Sequence, residues 1–193
     1  MKYYLDITLL PDNEIPLGFI WQKVYQQLHI ALVENKSGEN QSNVALSFPQ
    51  YGDKVFPLGN KIRLLAVEEL QLENLSITQW LKRFADHTHI TTIKAVPGLV
   101  SQFACFTRKQ FNTNISRLAR RRSKRHKVTF EEALEYYATF EDEQTKLPFI
   151  NVKSLSKGEQ FRLFIEQEKA KEPSVGEFNC YGLSKAQATV PWF

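Results

Sequence analysis

Acidic residues are missing from the 193-residue chain between Asp86 and Glu131, cysteine occurs only twice and methionine once. No apolar run approaches the length of a membrane span, which argues against a transmembrane protein. Cys105 and Cys180 are too few for a disulfide scaffold and lack the spacing of a zinc site, so they read as buried free thiols of a reducing compartment. The opening MKYYLDITLLPDNE has one lysine and then acids, which is not the pattern of a signal peptide. A cytoplasmic protein is expected. Clustered carboxylates at hard-metal spacing are lacking too, so no metal site and no cofactor are expected.

The acid-free stretch is not charge-poor. It holds ten of the 25 basic residues, and the other segments carry 15 basic against 21 acidic groups. One positive patch on an otherwise acidic body orients a molecule toward a polyanion, with nucleic acid ahead of an anionic membrane. The densest part is RLARRRSKRHK, residues 117 to 127, with five arginines, two lysines and a histidine. At the helical repeat, Arg117, Arg120, Arg121, Lys124 and Arg125 share an arc of about 140°, opposite Phe111, Ile115, Leu118 and Ala119. No glutamate sits at four-residue spacing to relieve the repulsion, so the run reads as an interaction surface on a helix over about 113–126. The narrow apolar face also carries Arg122 and His126, which suits a membrane interface poorly. A helix enters the DNA major groove but not a regular A-form RNA duplex, except where a short RNA hairpin ends and its groove opens.

The surrounding pattern predicts an α+β fold. KYYLDITLL alternates as a strand, residues 16–34 repeat at three and four as a helix, and NVALSFPQY and KIRLLAVEE read as strands. LQLENLSITQWLKRFADH reads as a second helix, and ITTIKAV as a strand ending at Pro97–Gly98. The order β-α-β-β-α-β is that of a ferredoxin-like domain over 1–96. A second α/β domain, 97–193, then bears the arginine-rich helix. It comprises a strand around LVSQFACFTRKQ, a helix from Thr129 to about Phe140 opened by a Thr129/Glu132 capping box, and strands LPFINVKS, EQFRLFIEQE and EFNCYGLS.

Candidate chemistry is sparse. Arg108 and Gln110 alternate on one face of a strand, and arginine and glutamine pair bidentately with guanine and adenine. His29 lies at the flank of the apolar stripe of its helix, beside Tyr25 in projection, and titrates in the range a general base needs. A metal-free ribonuclease could use such a base, because RNA carries its own 2′-hydroxyl nucleophile. His87 and His89 are expected on one side of a strand but have no third ligand. SLSKG, residues 154–158, suits a loop whose amides approach a phosphate.

YLDI at 4–7, LHIAL at 28–32, SFP at 47–49, Arg108-x-Gln110, the arginine helix, LPF at 147–149, S-x-S-x-G before FRLFI, and CYGLSK with the closing VPWF occur together in this order. Together they resemble the CRISPR-associated repeat-processing endoribonucleases of the type I-F system. The resemblance covers essentially the whole chain. It implies a prokaryotic, metal-independent enzyme that cuts CRISPR precursor transcripts at the 3′ base of the repeat hairpin, leaving a 2′,3′-cyclic phosphate and a 5′-hydroxyl. It further implies that the enzyme stays on the crRNA hairpin beside other subunits of a crRNA-guided surveillance complex. His29 matches the family's general base, Ser154 the serine that orients the 2′-hydroxyl, and Tyr181 the tyrosine near the site. Arg108 and Gln110 match the base-reading pair, and Arg117, Arg120, Arg121, Lys124 and Arg125 the groove helix. Ser156 falls with the RNA-binding loop, and Phe161 matches the aromatic that stacks on the terminal base pair. Lys124 departs from the usual arginine, keeping charge but losing bidentate geometry. A non-catalytic RNA-hairpin binding module of the same architecture is the alternative, and a transposon-linked context would keep the same motifs.

Overall fold

A computed structural model describes residues 1–111, 115–137, 145–154 and 158–193, with the side chains of Ile115 and Arg117 left out. The first sheet is antiparallel in the order β2-β3-β1-β4, from strands β1 (Tyr3–Leu9), β2 (Val44–Ser47), β3 (Lys61–Ala66) and β4 (Thr88–Ile90). With the 18-residue helix α1 (Leu17–Glu34) between β1 and β2, this is the ferredoxin-like order expected from the sequence. Pro16 opens α1, and Ile20, Trp21, Val24, Tyr25, Leu28, Ala31 and Leu32 recur at three and four to bury one stripe. Asn35 ends it, its amide and side chain both donating to the Ala31 carbonyl.

The second helical stretch is broken. It runs as α2 (Glu69–Leu75), α3 (Ile77–Trp80) and a 3-10 turn (Lys82–His87), because Ser76 takes the left-handed conformation at φ 47°. The strand expected over ITTIKAV is likewise split into β4 and β5 (Lys94–Ala95), both paired to β1. Thr91 supplies the interruption: its amide donates to the Asp6 carbonyl, and its hydroxyl accepts from the Asp6 amide. His87 therefore lies in the 3-10 turn, 3.6 Å from Asp12, rather than sharing a strand face with His89.

A second sheet, β7-β8-β6-β9, combines β6 (Phe103–Lys109), β7 (Phe149–Lys153), β8 (Gln160–Ala170) and β9 (Val190–Pro191). EFNCYGLS, expected as a strand, forms turns. The Asn179 side chain accepts from the Tyr181 and Leu183 amides, Gly182 closes a turn onto the Asn179 carbonyl, and Gly182 sits at φ 71°. Asparagine and glycine thus outweigh the strand preference of the cysteine, tyrosine and leucine.

The chain forms two compact units, Met1–Arg108 with Pro148–Phe193, and Lys109–Leu147. These run differently from the halves expected at Pro97–Gly98. Ala104, Phe106, Ile150, Val152, Leu163 and Ile165 from the second sheet belong to the same buried cluster as β1, α1 and β3, so an apolar core joins both sheets. Inside it, Arg63 grips Asp6 through two hydrogen bonds of 2.7 and 3.0 Å, donates to the Phe193 backbone oxygen, and lies over the rings of Tyr4 and Phe193.

Among its described residues the second unit contains two helices. α4 (Ile115–His126) is followed by α5 (Phe130–Tyr136), which starts at the expected Thr129/Glu132 capping box. Its described extent closes at Tyr136 with Tyr137 as the C-cap; the end expected near Phe140 falls on residues 138–144, outside the described part.

Candidate active site

His29 is placed by α1 and locked by a loop more than 150 residues away. Its Nδ1 lies 2.8 Å from the Cys180 carbonyl, which can only accept, so Nδ1 carries the proton and Nε2 is the lone-pair nitrogen of the neutral ring. The Tyr181 ring stacks on the imidazole at 4.1 Å between centroids and 5° between planes. One helical turn earlier, the buried Tyr25 hydroxyl donates to the Tyr181 carbonyl at 2.9 Å. Residues i and i+4 of one helix face thus hold two successive carbonyls of the CYG loop.

Burial pushes the His29 pKa below the ordinary 6.5, with the Cys180 bond opposing in part. The imidazole is neutral at pH 7. Burial raises the Tyr181 pKa, partly offset by the nearby Arg108 charge, so the phenol keeps its proton. Burial also raises Tyr25, which therefore serves as a donor.

Arg108 completes the cluster. Its guanidinium lies 5.1 Å from the Phe161 ring and 5.6 Å from the Tyr181 ring, and those two rings meet edge to face at 6.4 Å. Its Nε is enclosed without a hydrogen-bond acceptor among the described residues. A desolvated donor costs about 1–3 kcal/mol when left unpaired, so the site favours a ligand that brings an acceptor.

Ser154 follows β7, with its amide bonded to Glu159 and its carbonyl to Gly158. The preceding Lys153 amide donates to Gln26 Oε1 at 2.9 Å, and Gln26 lies three residues before His29 on α1. The helix therefore fixes the β7 end and the CYG loop together. Ser156 lies outside the described residues.

His29, Tyr181, Phe161 and Arg108 are thus brought together by ring contacts, and Ser154 is tied to the same helix through its neighbour. The remaining site residues belong to the second unit. Gln110 is exposed just after β6. On α4, Arg120, Arg121, Lys124 and Arg125 are exposed while Ala119 is buried, the expected division of faces. Arg122 departs from the cation face and lies 3.4 Å over the Tyr136 ring. Tyr25, Gln26 and the Cys180 carbonyl were not singled out as site groups from sequence. Tyr25 and Gln26 could have been found by their four- and three-residue spacing to His29, whereas the Cys180 carbonyl, 151 residues away, had no local signal.

Gly182 carries the loop. An added Cβ would overlap the Leu46 side chain, and its φ of 71° disfavours any other residue. Gly182→Ala is expected to destabilise the protein by about 1–3 kcal/mol and, by displacing Cys180 and Tyr181, to reduce activity at temperatures where the protein remains folded. Urea unfolding and circular dichroism check the first part.

Among the described residues, no three His, Cys, Asp or Glu side chains converge as metal ligands. No described helix is long and apolar enough to cross a membrane.

Residues 4–193 match the family model described as CRISPR-associated protein (Cas_Csy4). A protein of Escherichia coli (strain UTI89 / UPEC) named CRISPR-associated endonuclease Cas6/Csy4 is 36% identical over 194 residues, covering all of both chains. Its namesake in Pseudomonas aeruginosa (strain UCBPP-PA14) is 34% identical over 197 residues, again covering all of both. A solved structure titled "An RAMP protein binding different RNA substrates" aligns over 98% of this chain and 99% of its own, at 13% identity and a TM-score of 0.36, too low to bear on fold or function.

Proposed function

The chain belongs to the Cas_Csy4 family of CRISPR-associated proteins, and from that premise we propose that it is an endoribonuclease that cuts CRISPR precursor transcripts at the 3′ base of the repeat hairpin. The observation that carries the mechanism is the His29 Nδ1–H bond to the Cys180 carbonyl, which leaves Nε2 as a fixed basic nitrogen in a neutral ring. Nε2 takes the proton of the 2′-hydroxyl before the cut. The 2′-oxygen forms a bond to the adjacent phosphorus, the bond from phosphorus to the 5′-oxygen breaks, and that oxygen acquires a proton. The products are a 2′,3′-cyclic phosphate and a 5′-hydroxyl, and no metal ion enters the scheme.

The remaining residues bind and orient. Ser154 holds the 2′-hydroxyl in line, and Tyr181 keeps the imidazole plane fixed by stacking. Phe161 stacks on the terminal base pair of the stem, a contact of about 1–3 kcal/mol in general. Arg108, whose Nε has no acceptor among the described residues, and Gln110 read base edges at the foot of the stem. Arg117, Arg120, Arg121, Lys124 and Arg125 grip the phosphates of the hairpin groove, and Ser156 adds a contact from its loop. That grip keeps the enzyme on the crRNA hairpin, where other surveillance-complex subunits join it.

Incubation with repeat RNA in EDTA tests the reading: products ending in a 2′,3′-cyclic phosphate and a 5′-hydroxyl support it, and a 5′-phosphate end contradicts it. A pH profile adds a quantitative check. A base works when neutral, so the single-turnover rate should rise with pH through the His29 pKa and level off. Because burial lowers that pKa, the acid limb should bend below pH 6.5, the ordinary histidine value, and the rate should level off above the bend.

A further inference from the structure

The β7–β8 hairpin has two faces, and only one belongs to the site described above. Ile150, Val152, Leu163 and Ile165 are buried, and Phe161 shares their face. The opposite face carries Phe149, Asn151 and Lys153 on β7, each exposed, paired across the ladder with Phe164, Arg162 and Gln160 on β8. Phe149 is 37% exposed, its ring lies 5.4 Å from that of Phe164, and the Arg162 guanidinium covers it at 4.8 Å. Within these three register pairs there is no acid; Glu166 is the first on that face.

A cross-strand phenylalanine pair alone would be ordinary sheet stabilisation. It does not account for an exposed ring layered under a guanidinium, with a lysine and two carboxamides beside it. That combination is the chemistry of a single-stranded nucleic-acid platform. Aromatic and guanidinium planes stack bases, cations draw the phosphates, and amides reach base edges. An arginine already placed over a ring is partly ordered, so it can meet a base at little further entropic cost. A protein partner would gain nothing in particular from the two cations, whereas a polyanion does.

We infer that the outer face of the β7–β8 hairpin, built on Phe149, Arg162 and Lys153, binds single-stranded RNA flanking the repeat hairpin. The inference rests on the proposed RNA function but concerns a different surface and a different part of the RNA. The flank on either side of the hairpin has the required chemistry, so the experiment separates the two.

The test compares three RNAs carrying a 2′-deoxy residue at the cut: the minimal hairpin, the hairpin with ten extra nucleotides on the 5′ side, and the same extension on the 3′ side. One extension should tighten binding to the wild-type protein by about tenfold, the size of one or two base stacks. Phe149→Ala and Arg162→Ala should each remove most of that gain, leaving minimal-hairpin affinity and cleavage unchanged. No gain from either extension, the outcome expected if a protein covers this face, would overturn the inference, as would a gain retained in both variants. Failure of the minimal hairpin to bind or be cut would instead count against the proposed function. The platform would still be read by a U12 oligonucleotide, which should bind the wild type more tightly than Phe149→Ala; equal binding to both would overturn it.

Discussion

Replacing His29 with alanine is expected to slow single-turnover cleavage by about 10²–10⁴-fold, the usual contribution of a positioned general base, with hairpin affinity nearly unchanged. The imidazole is only 7% exposed and its contacts are to Cys180 and Tyr181, so it contributes little binding surface. Alanine also removes the hydrogen bond that holds the Cys180 carbonyl. His29→Asn separates the two effects, because its amide N–H can still donate to that carbonyl while no basic nitrogen remains. Both variants should be slowed to that extent; His29→Asn cutting at the wild-type rate would make the histidine a structural residue.

Neutralising the exposed cations of α4 should have the opposite signature. With Arg120, Arg121, Lys124 and Arg125 all changed to alanine, hairpin affinity should fall by about a thousandfold or more at moderate salt, given about 1.5–3 kcal/mol for each charge-assisted hydrogen bond lost. The log–log salt dependence should become shallower by about 0.7–0.9 for each phosphate contact removed. Cleavage at saturating protein should survive. Alanine is a strong helix former and the four side chains are exposed, so α4 should persist, particularly as Arg122 stays on the Tyr136 ring. Unchanged affinity across 50–500 mM salt would remove this helix from RNA binding.

These predictions rest on features of unequal legibility. The arginine helix was readable because its information is local: charge sign, helical spacing and the absence of glutamate are all contained in about a dozen residues. The Thr129/Glu132 box and the apolar stripe of α1 were readable for the same reason. The ferredoxin-like strand order followed from alternation and connection order, even though Ser76 and Thr91 break elements that read as continuous. What periodicity did not supply was the pairing of α1 with the CYG loop. The His29–Cys180 and Tyr25–Tyr181 bonds span 151 and 156 residues. CYGLS reads as a strand until Asn179 and Gly182 are seen to fold it into a turn. The division into compact units was also hidden, because whether two sheets share a core depends on packing between segments far apart in sequence. The resemblance to a known family pointed to His29, Ser154 and Tyr181. The carbonyl that fixes the histidine tautomer belongs to the three-dimensional arrangement.

The claim at the centre of this account is that the substrate's own 2′-hydroxyl is the nucleophile and the His29 Nε2 its base. It is tested most directly by single-turnover cleavage of repeat RNA bearing one 2′-deoxy nucleotide immediately before the cut, measured in EDTA beside the all-ribose RNA. The account predicts that the ribose substrate is cut and that the deoxy substrate, bound equally well, is not; cleavage of the deoxy substrate at a comparable rate would contradict it.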